Sequence, residues 1–395
     1  MDEGLRIDAP AAGHEPLPLD GLTVLDFSQF LAGPSCALRL ADLGARVIKV
    51  ERPNGGDSGR DLALAGQRFG DASALFHTIN RNKESYAADL KDAGVRPRIE
   101  ALIARADVLI HNFRPGIMER LGLGYEAVAA LNPRIVYAGV SGYGTEGPWR
   151  DRPGQDLLLQ ALTGIARLSG DRDQAPTPAA LPIVDMAAGT QLTQGVLALL
   201  VRRGVTGCGG RVDVSLLDAA IDLQLEPFTV FLNGGGAPER GAVRNANVYL
   251  AAPYGIYDTA DGHIALAMMP VDRLGEVIGN ERLAEWPANA WLGERDAIKA
   301  EIARHLVTGT TSEWLALLEA AGLWAGEVLD WPALVERPGF VAAEAIQTIG
   351  SGERVMRTTV SPIRIDGRRL RSPRPGPALG EGNGRIDAEL DEDAR

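Results

Sequence analysis

Apolar and polar segments alternate along the first half of the chain in a way that is typical of strands followed by helices. The short apolar runs predict five strands, at Thr23–Phe27, Arg46–Val50, Val108–Asn112, Ile135–Gly139 and near Arg211–Val214. The predicted helices between them include Pro97–Arg105 and the long apolar stretch Met186–Arg203. Because alternation of this kind forms parallel sheets with helices on both faces, residues 18–224 predict a large α/β domain with a mostly parallel, Rossmann-like sheet.

The pattern changes after residue 224, and residues 225–247 are predicted to be a linker around the glycine-rich segment Asn233–Pro238. The next segment, Tyr254–Ala267, predicts a β-hairpin because two apolar runs flank an Asp-Gly turn. Helical patterns follow this hairpin. Residues 248–330 therefore predict a smaller α+β domain.

Three further segments carry signals of their own, namely the start of a helix in the smaller domain and the two ends of the chain. Thr310 and Glu313 have the spacing of a capping box, which predicts that a helix begins there. Residues 1–17 are polar and without periodicity, so they predict a flexible tail. Residues 331–395 are rich in Arg, Pro and Gly and contain short strand-like pieces.

Composition and charge exclude several classes of protein. The 395 residues are 45% hydrophobic and 23% charged, as expected of a soluble protein with two domains. No apolar run reaches the roughly 18 residues of a membrane span, and the N-terminus does not resemble a signal peptide, so we expect a cytoplasmic protein without membrane contact. The net charge of −12 argues against a nucleic-acid partner. Two cysteines and five scattered histidines predict neither a disulfide framework nor a metal site.

Familiar catalytic motifs such as the P-loop and the nucleophile elbow are missing from the sequence, and the first turn after a predicted strand, Ser28–Pro34, lacks the glycines that let a backbone approach a pyrophosphate. Asp156 follows a Pro-Gly turn and precedes a predicted helix. It is interpreted either as a helix cap or as a carboxylate nucleophile, because the positive end of a helix stabilises an ionised carboxylate. Asp185 poses the same choice and is interpreted mainly as a cap for the long helix.

Four basic residues fall after strands in the predicted order, namely Arg52, Lys83, Arg114 and Arg120. Each one alone is typical of solvated surface charge. Together, at one edge of a parallel sheet, they would form a rim that binds phosphate groups.

Several segments, in the same order along the chain, resemble the class III CoA-transferase family (CaiB/BaiF type), which includes formyl-CoA transferase and carnitine CoA-transferase. The resemblance is dense over residues 20–220. The segments that carry it are Leu25–Pro34, Gly44–Arg52, Asn80–Lys83, Asp107–Gly116, Leu131–Arg134, Ser141–Pro148, Gly154–Asp156 and Gly210–Ala219. It implies an interlocked homodimer whose two chains pass through each other, with the C-terminal segment (331–395) returning to the large domain.

The resemblance also implies a set of site residues, with Asp156 as the catalytic nucleophile. The implied CoA-binding residues are Phe30, Leu31, Ala32, Arg52, Asn80, Lys83, Asn112, Phe113, Arg120 and Leu121. The implied substrate loop near the acyl group is Ser141, Gly142, Tyr143 and Gly144. Acyl-CoA and a small carboxylic acid would be the substrates, with no tightly bound cofactor and no metal.

Two departures from the family pattern bear on the reaction. By resemblance, the acyl-CoA racemases of the superfamily have a His-Asp pair at this point, whereas in this chain Gln155 precedes Asp156. The missing histidine favours transfer over racemisation. The glycines Gly234–Gly236 come earlier than the glycine run of the oxalate branch, which argues against oxalate specificity. The predicted function is CoA transfer through a covalent intermediate on Asp156. The alternatives are a 2-methylacyl-CoA racemase that uses Asp156 and Asp185 as its two bases, and a CoA-binding protein without transferase activity.

Overall fold

The computed structural model describes residues 16–350, 352, 355–372 and 374–392. The predicted tail of residues 1–17 lies outside this part of the chain, except for its last two residues. Contacts divide the chain into two compact units. Unit 1 contains the described residues up to Asp156, then Ile183–Ala219, then those from Ala343 onward, and unit 2 contains Leu157–Pro182 and Ala220–Ala342.

Strands and helices follow one another throughout the described residues. The strands are β1 (Thr23–Asp26), β2 (Arg46–Glu51), β3 (Arg68–Phe69), β4 (Ala72–Ser73), β5 (Glu84–Ala87), β6 (Val108–His111), β7 (Val136–Ser141), β8 (Gly210–Ser215), β9 (Gly255–Asp258), β10 (His263–Leu266), β11 (Ala325–Glu327), β12 (Ile346–Ile349), β13 (Met356–Thr359), β14 (Arg364–Ile365) and β15 (Arg368–Arg369). The helices are α1 (Ala32–Asp42), α2 (Ala74–Ile79), α3 (Arg96–Arg105), α4 (Ile117–Arg120), α5 (Tyr125–Leu131), α6 (Asp156–Leu162), α7 (Ile165–Leu168), α8 (Ile183–Thr206), α9 (Leu216–Asp222), α10 (Leu225–Leu232), α11 (Val271–Ile278), α12 (Arg295–Leu306), α13 (Thr311–Ala320), α14 (Trp331–Glu336), α15 (Pro338–Ala342) and α16 (Asn383–Glu392).

A parallel sheet organises unit 1, as predicted. Within the described residues it has six strands in the order β5-β2-β1-β6-β7-β8, and every neighbouring pair is parallel. Strands β2 and β5 lie on one side of β1, and β6, β7 and β8, which come later in the chain, lie on its other side. The order therefore reverses between β1 and β6, and such a reversal leaves a crevice at the carboxyl ends of the strands where ligands bind.

The edge strand β5 was missed by the sequence analysis. Its residues, Glu84-Ser-Tyr-Ala87, contain no apolar run, because an edge strand needs few apolar side chains. This changes the position of Lys83, which precedes β5 instead of following a strand. Lys83 therefore does not belong to the predicted rim of basic residues at the carboxyl edge.

Helix α8 packs along α1 and the sheet through small residues. A side chain at Gly189 would meet the Ala32 carbonyl oxygen at 2.6 Å, so the two helices approach closely only because this position is glycine. The helix is long and apolar enough to cross a membrane by length and composition, but a third of its apolar window (33%) is buried inside the protein. Val201 and Val205 of this helix are exposed.

The described residues of the C-terminal segment from Ala343 onward are part of unit 1, whereas residues 331–342 belong to unit 2. Ile386 and Leu390 of α16 are buried in its core together with residues of the sheet. The Asn383 amide exchanges two hydrogen bonds with the backbone of Ala87 in β5 (2.8 and 2.9 Å). The Ser372 hydroxyl donates to the buried carboxylate of Asp42 at the end of α1 (2.7 Å). The segment thus closes the β5 edge of the sheet.

Unit 2 contains the predicted hairpin, formed by antiparallel β9 and β10 with β11 beside β10. The capping box at α13 is also present, since the Thr310 hydroxyl accepts from the Glu313 N–H and the Glu313 carboxylate accepts from the Thr310 N–H. Part of the predicted linker is helical, because α10 occupies Leu225–Leu232. Its apolar run continues the helical pattern of α9 after a break at Leu223-Gln224.

Candidate active site

The turn after β1 lies at the reversal point of the sheet, beside the loop that follows β6. The Asn112 side chain connects them, because its carbonyl oxygen accepts from the Gln29 N–H (2.9 Å) and its amide donates to the Gln29 carbonyl (2.7 Å). Phe30 follows in a left-handed conformation with φ of 63°, and half of its surface (50%) is exposed. The structure therefore brings together Phe30 and Asn112, which the sequence had assigned to one CoA site.

Helix α1 begins directly after this turn. Its N-cap residue, Leu31, makes no side-chain capping hydrogen bond, so its side chain does not cover the first N–H groups of the helix. A side chain at Gly33 would collide with Ser28, which shows how tightly the turn is folded onto the helix. Leu31 is half-buried and Ala32 is buried, so their contribution to a site would come mainly from the backbone.

The loop after β7 contains the predicted substrate residues and contacts the segment before Asp156. A side chain at Gly142 would lie 2.8 Å from the Gly154 Cα, so both residues must lack one. The Ser141 hydroxyl accepts from the Gly144 N–H (3.0 Å), and the Tyr143 ring lies edge-on to Trp149. The predicted loop and the predicted nucleophile are therefore neighbours.

Asp156 is almost fully buried, with 9% of its surface exposed, and it caps a helix other than its own. Its Oδ1 accepts from the backbone N–H groups of Val184 (2.8 Å) and Asp185 (3.1 Å), in the first turn of α8. Asp156 thus caps α8, whereas Asp185 is the third residue of that helix and lies inside its first turn. The carboxylate faces the positive end of a 24-residue helix, which stabilises negative charge.

Asp185 is a second carboxyl group beside Asp156. Burial raises the pKa of Asp185, and the charge of Asp156 raises it further, to about 6. Close carboxyl pairs of this kind favour holding one proton. The pair therefore combines a carboxylate bound by two N–H groups with a carboxyl group that takes up a proton near neutral pH.

Exposed arginines lie in the loops at the carboxyl edge of the sheet. The Arg52 side chain follows β2 and bonds to the Gly56 carbonyl (2.8 Å). A side chain at Gly116, in the loop after β6, would lie 3.2 Å from Arg120 and 3.7 Å from Arg150, so the two guanidinium groups flank this glycine. Two guanidinium groups this close to one glycine are suited to binding an anion such as a phosphate group.

Asn80 and Lys83, two of the predicted CoA contacts, are not at the surface. The Lys83 amine is fully buried and donates to Asp26, to Asn80 and to the Pro34 carbonyl, at 2.8 to 2.9 Å. Burial lowers the pKa of Lys83 to about 8, although Asp26 opposes the shift. Lys83 thus connects Asn80 and Asp26 to the first turn of α1, and the assignment of Asn80 and Lys83 to the CoA site stays a prediction.

Phe113 and Leu121 lie between the loop after β6 and the core. The Phe113 ring stacks on His111 with centroids 6.5 Å apart, and both Phe113 and Leu121 pack against the apolar core. The Leu121 carbonyl accepts from Arg96 (2.6 Å).

The sequence analysis missed Arg150 and the capping role of Asp156 toward α8. Arg150 follows no strand directly, so the rule that selected the other arginines did not select it. The contact between Asp156 and α8 joins residues 28 positions apart and leaves no local pattern.

Comparison with known proteins agrees with the resemblance seen in the sequence. The model of CoA-transferase family III matches residues 19–383. The chain is 31% identical over 393 residues to the succinate–glutarate CoA-transferase of Agrobacterium fabrum, covering 95% of this chain and 96% of that protein. It is 35% identical over 320 residues to the acetyl-CoA:oxalate CoA-transferase of Acetobacter aceti, covering 79% and 81%. A crystal structure of a CaiB/BaiF family protein from Brucella suis matches with a TM-score of 0.81 and 30% identity, covering 95% of this chain and all (100%) of that one.

The raised pKa of Asp185 predicts a pH-dependent stability. Its value of about 6 in the folded protein is above the ordinary 3.8, so its contribution to the free energy of unfolding is full below pH 4 and is lost as the pH rises toward 6. Replacing Asp185 by Asn should remove this loss, and the variant should gain stability relative to wild type between pH 4 and pH 7. Urea denaturation across this range measures it, with the exposed Asp272→Asn as control. Parallel pH profiles for wild type and Asp185→Asn would contradict the prediction.

Proposed function

The chain belongs to CoA-transferase family III, and we propose that it moves CoA from an acyl-CoA donor to a small carboxylic acid through a covalent intermediate on Asp156. The observation that supports this most is the position of the Asp156 carboxylate, which two backbone N–H groups hold at the start of α8 beside the loop after β7. An ionised carboxylate held in one pose is suited to nucleophilic attack.

The first half of the reaction transfers CoA to the enzyme. A carboxylate oxygen of Asp156 attacks the thioester carbonyl, the carbon–sulfur bond breaks, and CoA leaves as a thiolate. The thiolate then attacks the Asp156 carbonyl carbon of the resulting anhydride. This gives an aspartyl-CoA thioester and releases the donor acid as a carboxylate.

The second half reverses these steps with a different acid. The acceptor carboxylate attacks the aspartyl thioester and expels CoA thiolate, which leaves an anhydride between Asp156 and the acceptor. The thiolate attacks the acceptor's carbonyl carbon, forms the new acyl-CoA and frees the Asp156 carboxylate. The first half neutralises the charge of Asp156, and the second half restores it.

Backbone N–H groups would stabilise the charge that develops in these steps. Whenever the Asp156 carbonyl is attacked, negative charge moves onto a side-chain oxygen, and the N–H groups of Val184 and Asp185 already lie 2.8 and 3.1 Å from Oδ1. Those distances are the ones that an oxyanion hole requires. The backbone of residues 141–147 would serve the carbonyl of the acyl group in the same way.

The CoA moiety would bind at the carboxyl edge of the sheet. The turn at Phe30–Ala32 and the loop at Asn112 and Phe113 meet at the reversal point, which is where ligands of such sheets bind. Arg52, Arg120 and Arg150 would pair with its phosphate groups. Two of the relatives are named for oxalate, succinate and glutarate, so these three acids are the first acceptors to test.

A racemase acting on 2-methylacyl-CoA is the second candidate, because Asp185 lies beside Asp156 and its pKa is raised to about 6. Removal and return of an α-proton need two such groups. The two functions differ in their isotope exchange, since only a racemase brings solvent hydrogen to the α-carbon.

Replacement of Asp156 by Asn should abolish CoA transfer while leaving the fold and CoA binding intact. The amide oxygen can still accept from the α8 backbone, but an amide does not attack a thioester. Transfer between donor thioesters and the three acids measures activity, hydroxylamine trapping detects the aspartyl thioester, and calorimetry measures CoA binding. A transfer rate near that of wild type would exclude the covalent mechanism. α-Deuterium incorporation in deuterated water, without thioester exchange, would favour the racemase.

Replacement of Arg120 or Arg150 by Gln should weaken CoA binding by roughly 1–3 kcal/mol, because each loses a charge-assisted hydrogen bond. The affinity for pantetheine, which lacks the phosphate groups, should stay unchanged. Arg98→Gln is the matched control, since Arg98 is an arginine of α3 that pairs with Asp391. Equal losses for CoA and pantetheine would show that these arginines do not contact phosphate.

We propose that the protein is a homodimer with interlocked chains. The exposed apolar side chains of α8, at Val201 and Val205, and those of Trp324 and Trp331 support a second copy as partner. Interlocked chains cannot separate without opening one of them. Light scattering should give a dimer at micromolar concentration, and tagged and untagged dimers should exchange subunits only after denaturation and refolding. A monomer, or rapid exchange under native conditions, would exclude this topology.

A further inference from the structure

A group of charged side chains lies buried beneath the turn at Phe30, and the proposed mechanism does not use it. The group consists of Asp26, Lys49, Asp57 and Lys83, and each member is at most 3% exposed. The Lys49 amine lies 2.9 Å from the Asp57 carboxylate and 3.8 Å from that of Asp26, and Lys83 lies 2.8 Å from Asp26. Two amines and two carboxylates balance each other, and we call them the buried charge cluster.

The electrostatics of the cluster favour the ionised forms of Asp26 and Lys49. Burial alone would raise the pKa of Asp26, but Lys49 and Lys83 outweigh it and lower that pKa to about 2. Burial would lower the pKa of Lys49, but Asp26 and Asp57 outweigh it and raise that pKa. Ionised groups are costly to bury, and replacing them by apolar residues often costs no stability, so their presence calls for a role other than stability.

The cluster binds the backbone of the turn directly. The Lys49 amine donates to the Ser28 carbonyl (2.8 Å), and Asp57 Oδ1 accepts from the Phe30 N–H (3.1 Å). The Asp26 carboxylate accepts from the Ser28 N–H (3.0 Å) and from its hydroxyl. With Asn112 holding Gln29, three consecutive residues of the turn are bound through their backbone by side chains from separate parts of the chain.

Such support is needed because the turn is strained. Phe30 has a φ of 63°, a left-handed conformation that costs free energy for any residue with a side chain. Asp57 binds the backbone N–H of this strained residue itself, and Lys49 binds the carbonyl two residues before it. The ring of Phe30 remains half exposed.

We propose that Lys49 and Asp57 are positioning residues that hold the turn at Phe30 in the conformation that binds CoA, without touching CoA themselves. This inference rests on the proposed function, in which the turn is a CoA contact. The substrates are those of the proposed function. The cluster would stabilise the strained conformation of the turn in the free protein, so that CoA binding does not have to supply that free energy. Pre-organisation of this kind acts on ligand affinity more than on the chemical step.

The test compares Asp57→Ala and Asp57→Asn with Asp42→Asn as matched control. Asp42 is also buried and pairs with Arg81 (3.0 Å), but neither contacts the turn.

Asp57→Ala should raise the Kd of CoA and the KM of the acyl-CoA donor about tenfold to a hundredfold, as expected for a lost hydrogen bond to a charged group. The KM of the acceptor acid should not change, and kcat should fall less than the donor KM rises. Asp57→Asn, which keeps an acceptor for Phe30 but not the charge beside Lys49, should raise the Kd several-fold. The Asp42 variant should lose stability without a change in Kd.

A purely structural role would give the same CoA Kd in all folded variants, which would overturn the inference. If Asp57→Ala does not fold, an unchanged Kd in folded Asp57→Asn overturns it equally. Phe30→Ala separates this failure from failure of the proposed function. Weaker CoA binding in Phe30→Ala with wild-type binding in both Asp57 variants refutes only the role of the cluster. Wild-type binding in Phe30→Ala and in the Asp57 variants refutes the CoA site at this turn and the inference with it.

Discussion

Strands β1 and β6 are hydrogen-bonded neighbours, yet the chain leaves them toward opposite sides of the sheet. In sheets of this kind ligands bind at the carboxyl ends of the strands on either side of the reversal. Here the first residues of the two following loops are joined by the hydrogen bonds between Gln29 and Asn112. The turn at Phe30, the Asn112 side chain that joins it to the next loop, and the arginines around Gly116 all take their positions from this one reversal. A sheet without the reversal would place helices where these groups lie.

Helix α8 connects the fold of unit 1 to its proposed chemistry. Its N–H groups at Val184 and Asp185 need acceptors, and Asp156 supplies one from a distant part of the sequence. The same two N–H groups stabilise whatever charge the Asp156 oxygen carries during the proposed reaction. Close packing through Gly189 fixes the helix against α1, so the start of α8 and the start of α1 are positioned together. The proposed nucleophile and the turn at Phe30 are thus connected through one pair of packed helices.

The turn at Phe30 and the surroundings of Asp156 also share buried charged groups. Beneath the turn the carboxylates are matched by amines, which favours the ionised form of the cluster. Beside the proposed nucleophile, the charge that acts on Asp185 is that of Asp156, and together with burial it raises the pKa of Asp185 to about 6. The cluster binds the backbone of the turn through Lys49 and Asp57, whereas the raised pKa of Asp185 gives a carboxyl group that exchanges a proton at about pH 6.

The amino-acid sequence by itself determined the parallel sheet, the hairpin and the capping box at Thr310, because local patterns of apolar, turn and capping residues encode each of them. The family followed from the resemblance of a whole set of segments, in order along the chain, to known members. It also placed Asp156 before a helix, but not at the start of α8, since that contact joins residues 28 positions apart. Edge strand β5 has no apolar run, so its existence, and with it the burial of Lys83 beneath α1, was decided by pairing with β2. Arg150 reaches Gly116 only through the folding of the loop after β7. Local patterns reflect which side chains face a core, whereas the partners of a buried charge depend on which distant segments the sheet brings together, and only the tertiary structure decides that.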